Sequence, residues 1–451
     1  VARLFGTDGV RGIANQDLSG ELAFRLGRAA VEALAGSGEG PRDARIAVGR
    51  DTRASGEFLE AALVAGICSA GGDALLLGIC TTPAVAFLTM ELGARAGTVI
   101  SASHNPAEYN GIKFFESSGY KLGDDAEDRI EALLSDDAGV RPTGRGVGRV
   151  LPVEDEANQR YLRHLESVSG ASLEGMRVVV DCANGAASNV APELLRRLGA
   201  DVVAINDRPD GWNINAGCGA TSPQVVARAV LENGADAGVA HDGDADRALF
   251  ADADGNVVDG DQVLAACALD LKEHGALPGD TVVSTVMANL GFRLAMRQAG
   301  IEVLETKVGD RYVLEEMLRA GASLGGEQSG HIIFLSHATT GDGLLTAVRF
   351  LGLANRAGRS VREVASCMRR FPQVLENVQV RDRADLEGAT AVWEAVAGAE
   401  KALGERGRVL VRASGTEPLV RVMVEAATEA GARRHAREIA REVRTSLGGE
   451  S

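Results

Sequence analysis

Asp242-Gly243-Asp244-Ala245-Asp246 alternates three carboxylates with the two smallest residues. In an extended loop alternate side chains share a face. Three carboxylates on one face make an oxygen-rich site for a hard divalent cation, and Mg²⁺ suits it best. Without a cation their mutual repulsion is costly. An acidic surface turn is the plainer use of these residues. An EF-hand loop is a third, but it needs a closing Glu at its twelfth position and flanking helices; counted from Asp242, that place is Ala253. Arg247 follows directly and points to a phosphate beside the metal.

Ser101-Ala102-Ser103-His104-Asn105-Pro106 is a serine-rich loop after a short apolar run. The G-x-S-x-G elbow of a hydrolase is absent from it, and a His next in sequence is not a triad. A serine carrying a phosphoryl group beside a three-carboxylate metal site fits better, since the metal would neutralise the phosphoryl oxygens for in-line transfer. A helix N-cap is the other use of such a serine. Gly111-Ile112-Lys113-Phe114-Phe115 sets a lysine between apolar neighbours, where burial is expected to lower its pKa and make it a general acid or base. A surface or ion-paired lysine is the alternative. Lysine occurs only at 113, 121, 272, 307 and 401 in a chain whose other basic residues are Arg. Unlike arginine, a lysine can give up its proton.

Gly325-Gly326-Glu327-Gln328-Ser329-Gly330-His331 offers a carboxylate, a hydroxyl and an imidazole in a glycine frame. A carboxylate accepting from two adjacent sugar hydroxyls is one use; a polar turn is the other. Arg412-Ala413-Ser414-Gly415-Thr416-Glu417-Pro418, with Arg421 beyond, combines guanidinium, hydroxyl and backbone N–H groups as a phosphate cradle does. A hairpin with polar tips is the alternative. Arg11, in Thr7-Asp8-Gly9-Val10-Arg11-Gly12, is placed to approach a phosphoryl group or to finish a turn. Lys307-Val308-Gly309-Asp310-Arg311 ends a further strand and lines the same cleft. His164, His274 and His435 read as surface residues, and Cys218 and Trp212 belong to no constellation.

These loops need a scaffold, and the chain repeats one. Apolar runs at 45–49, 74–77 and 97–100 alternate with helical stretches, and the third opens into Ser101–Pro106. Runs at 177–180, 202–205 and 234–240 do the same, the third opening into Asp242–Arg247. Runs at 280–284, 303–306 and 321–324 precede Gly325–His331. Strands alternating with helices imply βαβ units and largely parallel sheets, whose ligands bind beyond the carboxyl ends of the strands. After Phe371-Pro372 the pattern changes. A strand at 374–380, a helix over about 384–403, strands at 408–412 and 419–426 and a helix over about 430–447 predict a smaller α+β domain with an antiparallel sheet.

A chain of 451 residues holds several domains. Its 45% apolar and 24% charged residues exclude whole-chain disorder. A net charge of −16 argues against a nucleic-acid binder. No apolar run approaches the roughly 20 residues of a membrane span, and no leader pattern is expected at the N-terminus. Six cysteines without a C-x-x-C pair fit buried thiols in a reducing cytoplasm. Only 4% aromatic residues beside 56 glycines suits α/β architecture.

The motifs, in this order and over essentially the whole chain, resemble the α-D-phosphohexomutase family. Leu4–Gly12, Gly326–His331 and Arg412–Pro418 are most similar to bacterial members that act on glucosamine phosphates. Gln328 stands where members acting on mannose or glucose phosphates usually carry Met, and Ala245 where many relatives have Gly. The resemblance implies four domains around a central cleft: α/β domains over 1–152, 153–254 and 255–369 and an α+β domain over 370–451. It implies interconversion of glucosamine 6-phosphate and glucosamine 1-phosphate, for UDP-N-acetylglucosamine and cell-wall precursors. Phospho-Ser103, in a loop with His104 and Asn105, would donate its phosphoryl group to form a bisphosphorylated sugar, which turns and returns the other phosphate.

Ser103, Asp242, Asp244 and Asp246 would hold Mg²⁺, and Arg247 and Arg11 would steady the phosphoryl group. Glu327 and Ser329 would hold the sugar hydroxyls, with Lys307 beside them. Arg412, Ser414, Gly415, Thr416 and Arg421 would hold the distal phosphate, and Lys113 and His331 would handle protons. A hexose 1,6-bisphosphate would charge Ser103. Sugar phosphates would be the partners of a cytoplasmic monomer or homodimer, with no nucleic acid or membrane. The rivals are the same chemistry on glucose or mannose phosphates, a metal-dependent phosphatase, which needs neither cradle nor serine, and a silent sugar-phosphate sensor, which could lose Ser103 or a metal-loop aspartate.

Overall fold

The computed structural model describes residues 3–6, 8–34, 44–134, 141–414 and 418–448, the Asp155 side chain excepted. They form two compact units: Val1–Val286 with Glu302–Ser366, and Met287–Ile301 with Cys367–Ser451.

The first unit contains three sheets. Strands Val10–Ile13 (β1), Arg45–Arg50 (β2), Asp73–Ile79 (β3), Ala96–Ile100 (β4), Tyr109–Glu116 (β5) and Val150–Pro152 (β6) lie in the order β1-β5-β4-β2-β3-β6. Strands Arg177–Asp181 (β7), Asp201–Ile205 (β8), Ala237–His241 (β9), Ala248–Asp252 (β10) and Val257–Val258 (β11) lie in the order β11-β10-β9-β7-β8. Strands Thr281–Thr285 (β12), Glu302–Thr306 (β13), Leu324–Gly326 (β14) and Ile332–Phe334 (β15) lie in the order β13-β12-β14-β15.

The three sheets share one plan. A parallel trio (β4-β2-β3, β9-β7-β8, β14-β12-β13) is followed by an antiparallel return strand, β5, β10 or β15, on the trio's last strand. The serine loop joins β4 to β5, the aspartate loop joins β9 to β10, and the Glu327 loop joins β14 to β15. The same topological position therefore carries each motif. It lies at the carboxyl end of a parallel strand, where open α/β sheets bind ligands.

Two expected strands start later than the apolar pattern predicts. Gly234 and Gly321 have φ of 57° and 69° and stop the preceding helices in the left-handed conformation. β9 and β14 therefore begin three residues further on. The core of the first sheet is built by the helices Gly20–Leu34 and Ala54–Ser69, whose Leu26 and Leu63 are fully buried, worth about 1.5–3 kcal/mol each. Their backbones approach so closely that a Cβ on Gly66 would lie 2.0 Å from the Phe24 carbonyl oxygen. His164 is not a surface residue: its ring stacks on Phe87 at 4.3 Å and bonds the His337 carbonyl.

The second unit has an antiparallel sheet, Gln373–Gln379 (β16), Gly407–Ala413 (β17) and Leu419–Ala426 (β18), in the order β16-β18-β17. The helices Thr390–Leu403 and Glu429–Leu447 cover it with an apolar core of Val392, Val420, Val422, Val424, Ile439 and Val443. The latter helix also carries His435, which is buried rather than exposed and faces Glu438 at 3.1 Å. The segment Met287–Ile301 joins this unit through Asn289, which donates to the Phe371 carbonyl at 3.0 Å and to the buried Glu425 at 2.9 Å. Among the described residues no helix is long and apolar enough to cross a membrane.

Candidate active site

Asp242, Asp244 and Asp246 converge as the alternation predicts. All three are buried, and one oxygen of each lies within 4.8 Å of the others. The loop backbone is pinned from three sides: Thr82 N–H donates to the Asp244 carbonyl, Ala186 N–H to that of Gly243 and Gly343 N–H to that of Ala245. Oδ1 of Asp244 and Oδ1 of Asp246 are buried without a hydrogen-bond partner. Three carboxylates with unused buried oxygens are the donor set of a hard cation, so these residues fit Mg²⁺.

Electrostatics tell the same story. Burial, together with Asp246 and Asp244, raises the Asp242 carboxyl well above the ordinary range, and burial with Asp244 raises Asp246. Burial works the same way on Asp244, but Lys113 and a 2.6 Å hydrogen bond from Thr82 outweigh it and hold that carboxyl at about 2.

Ser103 adjoins this cluster. Its hydroxyl donates to Asp242 Oδ2 at 2.6 Å and lies 3.4 Å from His104 Nδ1. Its φ is +49°, a left-handed conformation that residues with a side chain seldom adopt. Burial, then Arg247 and Arg11, lowers the His104 imidazole to about 4, so this ring is neutral at physiological pH. Arg247 lies with Nε 3.7 Å from Asp246. Arg11 pairs with Asp8.

Lys113 departs from expectation. It is 2% exposed, and burial does act to lower its pKa. However, its Nζ stands 3.2 Å from Asp8 Oδ2 and 3.3 Å from Asp244 Oδ2, and these carboxylates reverse the sign and raise it. The lysine is held charged.

His331 is buried on the other side of the cluster, with Nε2 3.9 Å from Asp246 and 3.8 Å from Asp310. Neither ring nitrogen has a hydrogen-bond partner. Glu327 accepts from Gly309 N–H at 3.0 Å, tying its loop to the loop of Lys307, whose side chain is exposed. The Ser329 hydroxyl is buried without a partner. The first unit thus brings together Arg11, Ser103, Lys113, the three aspartates, Arg247 and His331.

In the second unit, Arg412 and Arg421 are partners in the β17–β18 register. Ser414 is buried, and its carbonyl accepts from Arg383 at 2.8 Å. Gly415 and Thr416 lie outside the described residues.

Several residues here were not expected. Lys121 bonds both Asp8, at 2.8 Å, and Asp310, and so links the carboxylate beside Lys113 to the one beside His331. Being one of five lysines was its only sequence signal. Thr82 holds Asp244. Arg53 and Asn215 bond backbone carbonyls of the serine loop, a role that leaves no motif.

Comparison with known proteins places these observations. Residues 2–139, 159–255, 259–371 and 375–442 match the models of phosphoglucomutase/phosphomannomutase α/β/α domains I, II and III and C-terminal domain, in that order. The chain is 58% identical over 424 residues to a phosphoglucosamine mutase of Pelotomaculum thermopropionicum, covering 94% of each chain. It is 56% identical over 448 residues to one of Symbiobacterium thermophilum, covering 99% of each. The fold is similar to that of a phosphoglucomutase/phosphomannomutase family protein of Burkholderia thailandensis (TM-score 0.84, 24% identity, 99% and 98% covered). It is also similar to that of Aspergillus fumigatus N-acetylphosphoglucosamine mutase in complex with GlcNAc-6P and magnesium (TM-score 0.67, 20% identity, 98% and 96% covered).

Proposed function

This chain belongs to the phosphoglucomutase/phosphomannomutase family of α-D-phosphohexomutases, and we propose that it interconverts glucosamine 6-phosphate and glucosamine 1-phosphate through phosphorylated Ser103. The observation that carries the reading is the 2.6 Å contact of the Ser103 hydroxyl with a three-carboxylate cluster. The relatives at 58% and 56% identity favour the glucosamine substrate.

In this scheme the sugar hydroxyl attacks phosphorus, the Oγ–P bond of Ser103 breaks and the hydroxyl proton leaves to a base. Oγ takes up a proton and the bisphosphorylated sugar turns; Oγ then attacks the other phosphorus and gives its proton to a base, the sugar O–P bond breaks, and the released sugar oxygen takes a proton. Asp242, Asp244 and Asp246, with a seryl phosphate oxygen, would hold Mg²⁺. The ion supplies charge neutralisation at the phosphoryl oxygens. Arg247 and Arg11 steady the phosphoryl group from the protein side, and His104 and Asn105 shape the loop around it. Lys113, held charged by Asp8 and Asp244, and His331, whose ring nitrogens have no hydrogen-bond partner, are the groups that handle protons.

Glu327 and Ser329 receive the sugar hydroxyls, with Lys307 on the neighbouring loop. Arg412, Ser414, Gly415, Thr416 and Arg421 form the cradle for the phosphate that is not moving. A hexose 1,6-bisphosphate charges Ser103. The enzyme works in the cytoplasm as a monomer or homodimer and divides at 1–152, 153–254, 255–369 and 370–451. It supplies UDP-N-acetylglucosamine and peptidoglycan precursors.

The test is kcat/KM of the phosphorylated, Mg²⁺-loaded enzyme on the 6-phosphates of glucosamine, glucose and mannose. A strong preference for glucosamine is expected. Equal or better turnover of glucose or mannose overturns the substrate and leaves the chemistry.

A further inference from the structure

The peptide groups on both sides of Ser103 are held by one buried ion pair. Asp51 and Arg53 are both 0% exposed and meet at 2.9 Å. On one side, the Ser101 hydroxyl donates to Asp51 Oδ2 at 2.6 Å and accepts from Ser103 N–H at 3.0 Å. On the other, Arg53 donates to the carbonyls of Ser103 at 3.0 Å, of Asn105 at 2.9 Å and of Pro106. Asn215, beyond β8, donates to two of the same carbonyls, Ser103 at 2.8 Å and Asn105 at 3.1 Å. The Ser103 and Asn105 oxygens thus each receive two donors, one from Arg53 and one from Asn215.

A guanidinium buried to this degree is costly unless its donors are used, and here all of those bonds go to Asp51 and the serine loop. The left-handed φ of Ser103 persists only if the surroundings over-determine it. Gly243 closes the remaining space, since a Cβ there would lie 2.5 Å from the Ser103 carbonyl oxygen.

We propose that Asp51, Arg53, Ser101 and Asn215 are positioning residues, which fix the Ser103 backbone in its strained conformation so that Oγ stays against the aspartate cluster while phosphoryl groups come and go. They touch no reacting atom. The inference rests on the reading of Ser103 as phosphoryl carrier. Small displacements of a reacting atom cost on the order of a hundredfold in rate, so the brace acts on kcat.

The experiment compares Arg53→Lys, which keeps the charge and loses the fork, and Ser101→Ala, which removes only the relay hydroxyl. For each, the folded fraction is measured by thermal unfolding, kcat and KM on glucosamine 6-phosphate are taken per folded molecule, and Ser103 phosphorylation by glucose 1,6-bisphosphate is timed by intact mass. The expected result is a kcat at least tenfold lower, with KM within threefold and Ser103 phosphorylation slowed in step. A kcat per folded molecule that falls less than tenfold in Ser101→Ala overturns the proposal, whether or not Arg53→Lys folds. So does a change confined to KM. Ser103→Ala is the control: activity in that variant sinks the carrier reading, whereas an inactive Ser103→Ala beside a fully active Ser101→Ala sinks the brace alone.

Discussion

Arg412 and Arg421 face each other across the β17–β18 ladder, two guanidinium groups at one register position. Like charges directly opposite weaken an antiparallel pair. Burial, with Arg421 adding to it, lowers the pKa of Arg412. A dianion that both forks can bond suits such a pair.

Arg421→Ala should therefore reduce kcat/KM by about 10- to 100-fold, the scale of one or two charge-assisted hydrogen bonds. The loss should be similar for glucosamine 6-phosphate and glucosamine 1-phosphate. Inorganic phosphate should raise the melting temperature of the wild type and not of the variant. Loss for only one substrate contradicts a shared cradle.

The aspartate cluster predicts a metal response that needs no assay of turnover. Bound Mg²⁺ would relieve the repulsion among Asp242, Asp244 and Asp246, so it should raise the melting temperature, and EDTA should reverse the rise. In Asp244→Asn the Mg²⁺ titration midpoint, read by calorimetry, should move up at least tenfold. An unchanged midpoint removes Asp244 from the site.

Lys121 neutralises Asp8 and Asp310 together. Asp8 keeps Arg11 and Lys113 as partners, so loss of Lys121 leaves chiefly Asp310 uncompensated at a part-buried site. Lys121→Met should lower unfolding stability in urea by about 1–3 kcal/mol, less than a fully buried pair would cost. Adding Asp310→Asn to Lys121→Met should recover part of the loss. A double variant no more stable than the single one refutes the coupling.

Asp342 gives a signed pH dependence. It caps the helix Gly343–Arg356 through Leu345 N–H and accepts from Tyr161 at 2.7 Å. Burial nevertheless raises its carboxyl to about 6, against the opposing pull of those bonds. The folded state thus holds the proton more tightly than the unfolded one. Stability is fully present below the unfolded value of about 4 and is lost as pH rises through about 6. Asp342→Asn keeps the cap and cannot ionise. Its stability relative to wild type should improve between about pH 4 and pH 7, by on the order of 2 kcal/mol. A difference that stays flat over this range rules out Asp342 as the titrating group.

Ala245 has φ of +56°, the left-handed region that glycine enters without a Cβ clash. Relief of that clash, less the extra chain entropy of glycine, should make Ala245→Gly more stable by about 0.5–1 kcal/mol. A drop in melting temperature shows that the buried methyl contributes more than the backbone costs.

What could be read from the chain follows from where the information lies. Runs such as Ser101–Pro106 and Asp242–Arg247 stand out because polar loops of small residues interrupt apolar strands at matching places in three repeats. The return strands β5, β10 and β15 were not expected, because each follows a polar loop directly with no turn signature of its own. The charge of Lys113 is the opposite of what its apolar neighbours predict: desolvation is local, but the two carboxylates that override it come from Asp8 and Asp244. Arg53 and Asn215 act on main-chain oxygens and leave no side-chain pattern to find. His435 sits on a helix with charged neighbours and is buried by its helical phase, which residue type alone does not disclose.

Of the five lysines in the chain, Lys113 and Lys121 are enclosed and ion-paired in the first unit, whereas Lys307 and Lys401 are exposed and Lys272 is half-buried, pairing with the half-exposed Asp280 at 2.8 Å. A protonated, enclosed amine is a poor nucleophile toward acylating reagents. Amine-directed labelling of the folded enzyme will therefore report on three side chains, only one of which stands on a loop tied to Glu327. Shielding of Lys307 by sugar phosphate would then be legible as a single missing mass increment, with Lys272 and Lys401 as internal standards in the same spectrum.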